Sequence, residues 1–171
     1  MRTLYLLRHA KSDWSDSAAE DIDRPLADRG REAAPVLGAY MGRHGLAPSL
    51  VLCSPSLRTR QTWDLVAPEL DALPAVETPE TLYLASGKVL LAAVRAVPDR
   101  HASAMVIGHN PGMQELAAAL AGEGPRGAVK RLAGKFPTGA LAVIIFDAAR
   151  WAEVAPGAGR LERFVRPRDL R

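Results

Sequence analysis

The chain has 171 residues, of which 48% are hydrophobic and 24% are charged, and its net charge is +3. These values fit one globular domain over residues 1–171 and exclude extended disorder. The charges alternate in sign without forming a basic stripe, so we expect no nucleic acid partner. The single cysteine, Cys53, excludes an internal disulfide, and the longest apolar stretch is too short to cross a membrane. We therefore expect a cytoplasmic protein without a membrane partner.

The sequence alternates between short apolar runs and stretches of helical periodicity. Such runs are typical of strands that are buried on both faces of a parallel sheet. In chain order the predicted elements are a strand at 3–7, a helix at 28–41, a strand at 49–53, a helix ending near 66, a strand near 76, a helix at 88–97, a strand at 104–107, a helix at 112–121, a loop at 122–139, and strands at 140–146 and 161–165. This alternation predicts an α/β fold, a three-layer sandwich with a mostly parallel central sheet.

Serine, asparagine and proline positions indicate where helices begin. Ser54 and Pro55 have the residue types that are favoured for an N-cap and a first helical position. Asn110 and Pro111 repeat this pattern after a later strand. Pro35, inside the first helical stretch, predicts a kink or a later start of that helix.

Polar side chains with phosphate-binding chemistry follow three of the predicted strands. Arg8 and His9 end the first strand, Arg58 follows the second, and His109 follows the strand at 104–107. Ligand sites in open α/β sheets form outside the carboxyl ends of the strands, so these groups can meet although they are distant in sequence. Helix N-termini at two of these ends favour an anion through free N–H groups and the helix dipole. Together these features predict a phosphate pocket.

Three segments resemble the motifs of the histidine phosphatase superfamily, the phosphoglycerate-mutase-like group named for its Arg-His-Gly signature. They are Leu7-Arg8-His9-Ala10-Lys11-Ser12, Cys53-Ser54-Pro55-Ser56-Leu57-Arg58-Thr59-Arg60-Gln61-Thr62 and Gly108-His109-Asn110-Pro111. Further likeness to the short bacterial branch, the SixA-type phosphohistidine phosphatases, lies at Arg24-Pro25-Leu26 with Gly30, Leu82-Tyr83 with Ala85-Ser86, Pro137-Thr138-Gly139 and Trp151. The resemblance covers nearly the whole chain and implies a phosphoglycerate-mutase-like fold. Only 50 positions separate Arg58 from His109, which leaves no space for the large cap insertion of longer relatives.

The resemblance implies a role for each residue of the predicted pocket. His9 would be the nucleophile that attacks phosphorus while its ring is neutral. Arg8, Arg58 and His109 would bind the equatorial oxygens, whose charge needs stabilisation in phosphoryl transfer. Water would then hydrolyse the phosphohistidine intermediate, with no metal and no cofactor.

The sequence departs from the family pattern at two positions of the first motif. Ala10 stands where the signature has Gly, and Ser15 stands where an Asn is often found. Ser15 could still donate a hydrogen bond to phosphate, or be a plain solvent-facing hydroxyl. Asp21 and Asp23 could bind a cation, but no third ligand lies at a suitable spacing, so a loop or capping role is predicted.

The general acid has several candidates. A leaving alkoxide needs a proton from a carboxylic acid, and Glu80 is the nearest equivalent of the family's Glu. Asp13 is the second candidate. The third alternative is that no acid is needed, because the imidazole of a phosphohistidine substrate can leave already protonated.

These observations predict a metal-independent phosphatase that removes phosphate from phosphohistidine in signalling proteins and acts as a monomer. One alternative is a phosphatase for small phosphate esters. Another, of a different class, is a non-catalytic module that binds phosphoproteins, although binding alone would not require both His9 and His109. Whether the loop at 122–139 closes over the site is left open by the sequence.

Overall fold

A computed structural model describes residues 1–171. It contains seven strands and five helices. The strands are β1 Arg2–Arg8, β2 Leu50–Cys53, β3 Ala75–Glu77, β4 Ser103–Gly108, β5 Ala121–Glu123, β6 Leu141–Phe146 and β7 Gly159–Val165. The helices are α1 Asp28–Arg43, α2 Leu57–Val66, α3 Gly87–Arg95, α4 Gly112–Leu120 and α5 Ala128–Gly134. Short 3-10 turns lie at Asp21–Asp23, Ala67–Glu69, Glu80–Leu82, Trp151–Glu153 and Pro167–Leu170.

All seven strands form one sheet in the order β3-β2-β4-β1-β6-β7-β5. The strands β3, β2, β4 and β1 pair in parallel, whereas β6 is antiparallel to both β1 and β7. In register, Arg8 lies opposite Gly108 and Cys53 opposite Ile107, so β1, β2 and β4 end at the same edge of the sheet. The predicted three-layer α/β sandwich with a mostly parallel sheet is confirmed, as is the lack of a large cap insertion.

Each face of the sheet has its own hydrophobic core. One core holds 26 buried residues and includes side chains of α3, α4 and α5, and the other holds 17 and includes side chains of α1 and α2. Successive residues of β1 alternate between them, with Leu4 and Leu6 in the first and Tyr5 and Leu7 in the second. Burying a leucine side chain fully stabilises the fold by about 2 kcal/mol, which fixes β1 at the centre of the sheet.

Three of the predicted boundaries are wrong. The helix after β2 begins at Leu57 with Ser56 as its N-cap, whose side chain accepts a hydrogen bond from the Thr59 N–H, so Ser54 is not the cap. Pro35 lies inside α1, so of its two predicted effects, a kink or a later start, the later start is wrong. The segment 122–139 is not all loop, because it contains the end of β5 and the whole of α5.

Gly30 brings α1 close to the chain that leaves β1. A Cβ atom at this position would lie 2.2 Å from the carbonyl oxygen of Lys11, so any larger residue would push the helix away from the strand end.

None of the helices has both the length and the apolar composition that a membrane-spanning helix requires.

Candidate active site

The shared edge of β1, β2 and β4 brings the predicted pocket residues together. The His9 N–H donates to the Gly108 carbonyl at 3.2 Å, and the Ser54 N–H donates to the Ile107 carbonyl at 3.0 Å, so the strand pairing continues one residue past each strand end. The rings of His9 and His109 then lie 5.5 Å apart, centroid to centroid. The sheet geometry therefore brings these distant segments together, as the sequence predicts.

His9 is held as a neutral ring with a defined tautomer. Its Nδ1 lies 2.7 Å from the carbonyl oxygen of Ala10. A carbonyl can only accept, so Nδ1 carries the proton and Nε2 keeps a lone pair. Burial lowers the pKa of His9 to about 3, and the nearby positive charges act in the same direction. Nε2 makes no hydrogen bond, so its lone pair is not engaged by the protein.

The residue after His9 is fixed by the first turns of α2. The Ala10 N–H donates to Thr62 Oγ1 at 3.0 Å, and that hydroxyl donates to the Arg58 carbonyl at 2.7 Å. Ala10 is buried, so the methyl group that replaces the signature Gly is accommodated within the core. The hydrogen bond from Ala10 to Thr62 links the segment that bears His9 directly to α2, the helix that bears Arg58.

Arg58 is a buried cation on the first turn of α2. Its side chain is 3% exposed. Nη1 donates to the Asp21 carbonyl at 2.7 Å, and Nη2 lies 3.1 Å from Asp21 Oδ2 and 3.2 Å from His109 Nδ1. Nε is buried and has no partner. A buried N–H group without a hydrogen-bond partner lowers the stability of the protein. This N–H therefore gains from donating to an anionic oxygen of a ligand.

Arg8 presents a second unpaired donor. Its Nη1 donates to the Phe136 carbonyl at 3.1 Å, and Asn110 Nδ2 donates to the same oxygen at 2.9 Å. The Nε of Arg8 is buried and unpartnered, like that of Arg58. Burial lowers the pKa of Arg8, and the charge of Arg58 lowers it further. These bonds also tie the end of the segment 122–139 to the pocket, through Phe136.

His109 connects Arg58 to the end of β2. Its Nε2 lies 2.7 Å from Ser54 Oγ, while Nδ1 faces Arg58 Nη2, which can only donate. The proton of the neutral ring therefore lies on Nε2 and Nδ1 accepts from Arg58. Burial lowers the pKa of His109 to about 4, and Arg58 is the second cause. The ring of Tyr83 packs edge-on against His109 at 5.6 Å.

Asp21 belongs to the pocket, although the sequence predicted only a loop or capping role for it. Besides its two contacts with Arg58, its Oδ1 accepts from Arg24 Nε at 3.1 Å and its Oδ2 accepts from the Tyr83 hydroxyl. The hydrogen bond from Tyr83 is the main cause that lowers the pKa of Asp21 to about 2. Asp21 is thus an ionised carboxylate that orients Arg58.

The fixed charges of the pocket leave a positive excess. Arg8, Arg24 and Arg58 contribute three guanidinium groups, and Asp21 is the one carboxylate that pairs with any of them. The balance is therefore about two positive charges, which matches the two negative charges of a phosphoryl group. No group of three or more His, Cys, Asp or Glu side chains is arranged to hold a metal ion.

The side chains of three further predicted residues lie outside the hydrogen-bond network of the pocket. Ser15 is exposed, and its backbone N–H donates to Asp13 Oδ1 at 2.8 Å. That bond is the main cause that lowers the pKa of Asp13. Glu80 is exposed in a 3-10 turn and forms no hydrogen bond or ion pair through its side chain. The structure therefore brings Arg8, His9, Arg58 and His109 together, but not these three.

Comparison with known proteins places the chain in a family. The model of the histidine phosphatase superfamily (branch 1) matches residues 4–89. An uncharacterized protein of Mycobacterium tuberculosis is 40% identical over 164 residues, covering 95% of this chain and 100% of that protein.

Two solved structures share the fold over nearly the full length. A candidate phosphohistidine phosphatase SixA from Nakamurella multipartitia is 31% identical with a TM-score of 0.83, covering 97% of this chain and 96% of its own. A second SixA candidate, from Agrobacterium tumefaciens, is 28% identical with a TM-score of 0.82, covering 97% and 98%. The resemblance found in the sequence is thereby confirmed: the chain belongs to the histidine phosphatase superfamily, is most like its SixA-type members, and is a phosphatase.

Proposed function

We propose that this phosphatase removes the phosphoryl group from phosphohistidine in proteins, through a phosphohistidine formed on His9 and without a metal ion. The observation that carries the proposal is the state of His9. Its Nδ1–H is held by the Ala10 carbonyl, its ring is neutral because its pKa is lowered to about 3, and its Nε2 is free. The unpaired Nε groups of Arg8 and Arg58 supply buried donors for the phosphoryl oxygens.

The reaction balances with these groups and one water molecule. The Nε2 lone pair of His9 attacks phosphorus, a new N–P bond forms, and the N–P bond of the substrate breaks. The departing imidazole keeps the electron pair and leaves as neutral histidine if it carried a proton beforehand. Water then attacks the phosphorus on His9, the N–P bond breaks, and the water proton passes to the phosphate product. His9 is returned neutral with its Nδ1–H unchanged.

The carboxyl groups favour phosphohistidine over phosphate esters as the substrate. An alkoxide leaving group needs a protonated acid at neutral pH. Both Asp13 and Asp21 have a lowered pKa, so both are ionised and neither can donate that proton. Glu80 is left as the proposed acid for any ester hydrolysis, but its side chain is exposed and unpositioned. A phosphohistidine whose imidazole is protonated needs no such acid, because the ring leaves as neutral histidine.

The proposal is tested by comparing kcat/KM for free phosphohistidine with kcat/KM for a panel of small phosphomonoesters, in the presence of a chelator. We expect phosphohistidine to be preferred by on the order of 100-fold, because general acid catalysis contributes roughly that much or more to ester cleavage. Glu80→Gln should lower only the ester rates. Preference for an ester, or loss of phosphohistidine hydrolysis in the chelator, would overturn the proposal.

A further inference from the structure

Three large exposed hydrophobic side chains lie next to residues of the network around Arg58. Trp14 is 69% exposed, Leu84 55% and Ile22 37%. Ile22 directly follows Asp21, and Leu84 directly follows Tyr83, whose ring packs on His109. The Arg24 guanidinium carbon lies 3.3 Å from the Trp14 ring centroid, so this ring is held in place while one face stays open to solvent. Each of the three is therefore one residue or one contact away from the network around Arg58.

Leu84 combines an exposed side chain with a strained backbone. Its φ is 51°, the only positive φ at a residue other than glycine. A branched apolar residue is disfavoured in this region, whereas Asn adopts it more readily. Strain beside a binding pocket is a reason to look for a function of the side chain. A leucine that is 55% exposed gains little from packing to offset this cost.

The segment that carries Trp14 and Ile22 is negatively charged. Residues 13–23 contain five carboxylates and no Lys or Arg. Of these, only Asp21 forms an ion pair, so Asp16, Glu20 and Asp23 present uncompensated charge to solvent around a positive pocket. A polyanionic small molecule would be repelled by these groups on its way to Arg58. A partner with positive charge beside its phosphoryl group would be attracted.

We propose that Trp14, Ile22 and Leu84, together with Asp16, Glu20 and Asp23, form a docking rim for the substrate protein. The rim fits a protein segment that carries apolar and basic side chains next to its phosphohistidine. Because Ile22 and Leu84 directly follow residues that contact Arg58 and His109, a protein bound through its phosphoryl group would bring neighbouring apolar side chains close to these exposed groups. The inference rests on the proposed function and specifies the chemistry of its protein substrate.

The test uses four phosphohistidine substrates that share the reacting bond. They are free phosphohistidine and three peptides of equal length in which Lys and Leu, Ser and Ala, or Glu and Ser flank the phosphohistidine. For the wild-type enzyme we expect kcat/KM to fall in that order among the peptides, by roughly tenfold from first to last, because exposed charge pairs each contribute a few-fold. Equal values for the three peptides would overturn the rim while leaving the phosphatase activity intact.

Two variants separate the parts of the rim. A triple change of Asp16→Asn, Glu20→Gln and Asp23→Asn should remove most of the discrimination against the Glu and Ser peptide, which depends on charge. Leu84→Asn should reduce the preference for the Lys and Leu peptide over the Ser and Ala peptide, and Asn is a residue type that tolerates the positive φ. Both should leave kcat/KM for free phosphohistidine unchanged within about twofold, as expected for surface changes that leave buried contacts intact.

A matched control changes three acidic residues that are exposed elsewhere, Asp71→Asn, Glu123→Gln and Glu162→Gln. It alters net charge by the same amount and should keep the full peptide preference. If the control reduces the preference as much as the rim variant does, or if the rim variants slow free phosphohistidine equally, the rim is not a docking surface. If no variant and no wild type hydrolyses any phosphohistidine, the failure lies in the proposed function.

Discussion

The pocket and its entrance loop are adjacent in space but organised by opposite rules. In the pocket, His9, Arg58 and His109 are each no more than 6% exposed and hydrogen-bonded to backbone or to one another. In the entrance loop, which we define as residues 13–23, regular structure is limited to one 3-10 turn and most side chains are exposed. Asp21 is the connection, since its carboxylate lies in the loop and its partner Arg58 lies in the pocket.

This difference suggests a division of roles. Buried groups with lowered pKa and fixed tautomers suit the chemical step, which needs preorganised charge. An exposed, charged and partly apolar loop suits selection among substrates, which needs surface complementarity. Changes in the pocket should therefore affect every phosphohistidine substrate alike, whereas changes in the loop should affect protein substrates only, with Asp21 as the exception.

The largest effect is expected for Arg58. Arg58→Ala should lower kcat/KM for free phosphohistidine on the order of 1,000-fold, because one of the pocket's two unpaired Nε donors and its charge are lost. Arg58→Lys should recover little, since a lysine cannot reproduce the fork that contacts Asp21 and His109. Arg60→Ala, two residues along the same helix and exposed, is the control and should stay near wild type. A loss under tenfold in Arg58→Ala would contradict the assignment, provided circular dichroism shows a folded variant.

The buried histidines should make the protein sensitive to acid. Their pKa values are lowered to about 3 and about 4, whereas in the unfolded chain they lie near 6.5. Below pH 6.5 the unfolded chain takes up protons that the folded state does not, so the free energy of unfolding falls until the folded pKa is reached. At pH 5 this loss is about 2 kcal/mol for each histidine, at 1.36 kcal/mol per pH unit.

Urea unfolding at pH 7 and pH 5 checks this expectation. His9→Asn and His109→Asn should each lose less stability over that interval than the wild type. His44→Asn changes an exposed histidine and should behave like the wild type. Equal losses in all four proteins would mean that the pocket histidines are not held neutral.

The connection through Asp21 should give an intermediate effect. Asp21→Asn removes the carboxylate that orients Arg58, so kcat for free phosphohistidine should fall by roughly tenfold, as for loss of one charged hydrogen bond. Because the pocket gains one net positive charge, inorganic phosphate should inhibit the variant more strongly than the wild type. Asp23→Asn, in the same 3-10 turn but unpaired, should leave kcat unchanged and should strengthen phosphate inhibition less than Asp21→Asn does. An Asp21→Asn enzyme with normal kcat would separate the loop from the chemistry altogether.

Ser15 should give the smallest effect. Its side chain is exposed and makes no hydrogen bond to a pocket residue, so Ser15→Ala should change kcat/KM for free phosphohistidine by less than about threefold, as is usual for surface substitutions. A larger loss, measured beside Ser17→Ala as the exposed control, would instead make Ser15 a phosphate ligand and extend the pocket into the loop.

The pocket could be predicted from sequence because its residues directly follow buried strands. The apolar runs before His9, Ser54 and His109 show where each strand ends. Because parallel strands end at the same edge of a sheet, the residues that follow them lie close together. Asp21 has no such signal. It lies in an irregular segment, and only the folded chain shows that Arg58 reaches it.

The segment 122–139 illustrates a second limit. Gly122, Gly124, Pro125 and Gly127 are typical of turns, and Gly127 does have a positive φ of 79°. The seven residues of α5 are too few to show helical periodicity, and the helix is held by burial of Ala128 and Leu132 in the core. Tertiary packing therefore decides a structure that local residue types do not predict.

The proposed mechanism depends most on a covalent phosphoryl group on His9. Brief incubation of the folded enzyme with labelled phosphoramidate, followed by quenching in alkali and peptide mapping, should reveal label on His9 that is stable in alkali and lost in acid, as expected for an N–P bond. His9→Ala should carry none, and His101→Ala, which changes a histidine outside the pocket, should label like the wild type. A wild-type enzyme that turns over without labelling, or a His9→Ala variant that labels equally, would contradict the assignment of the nucleophile.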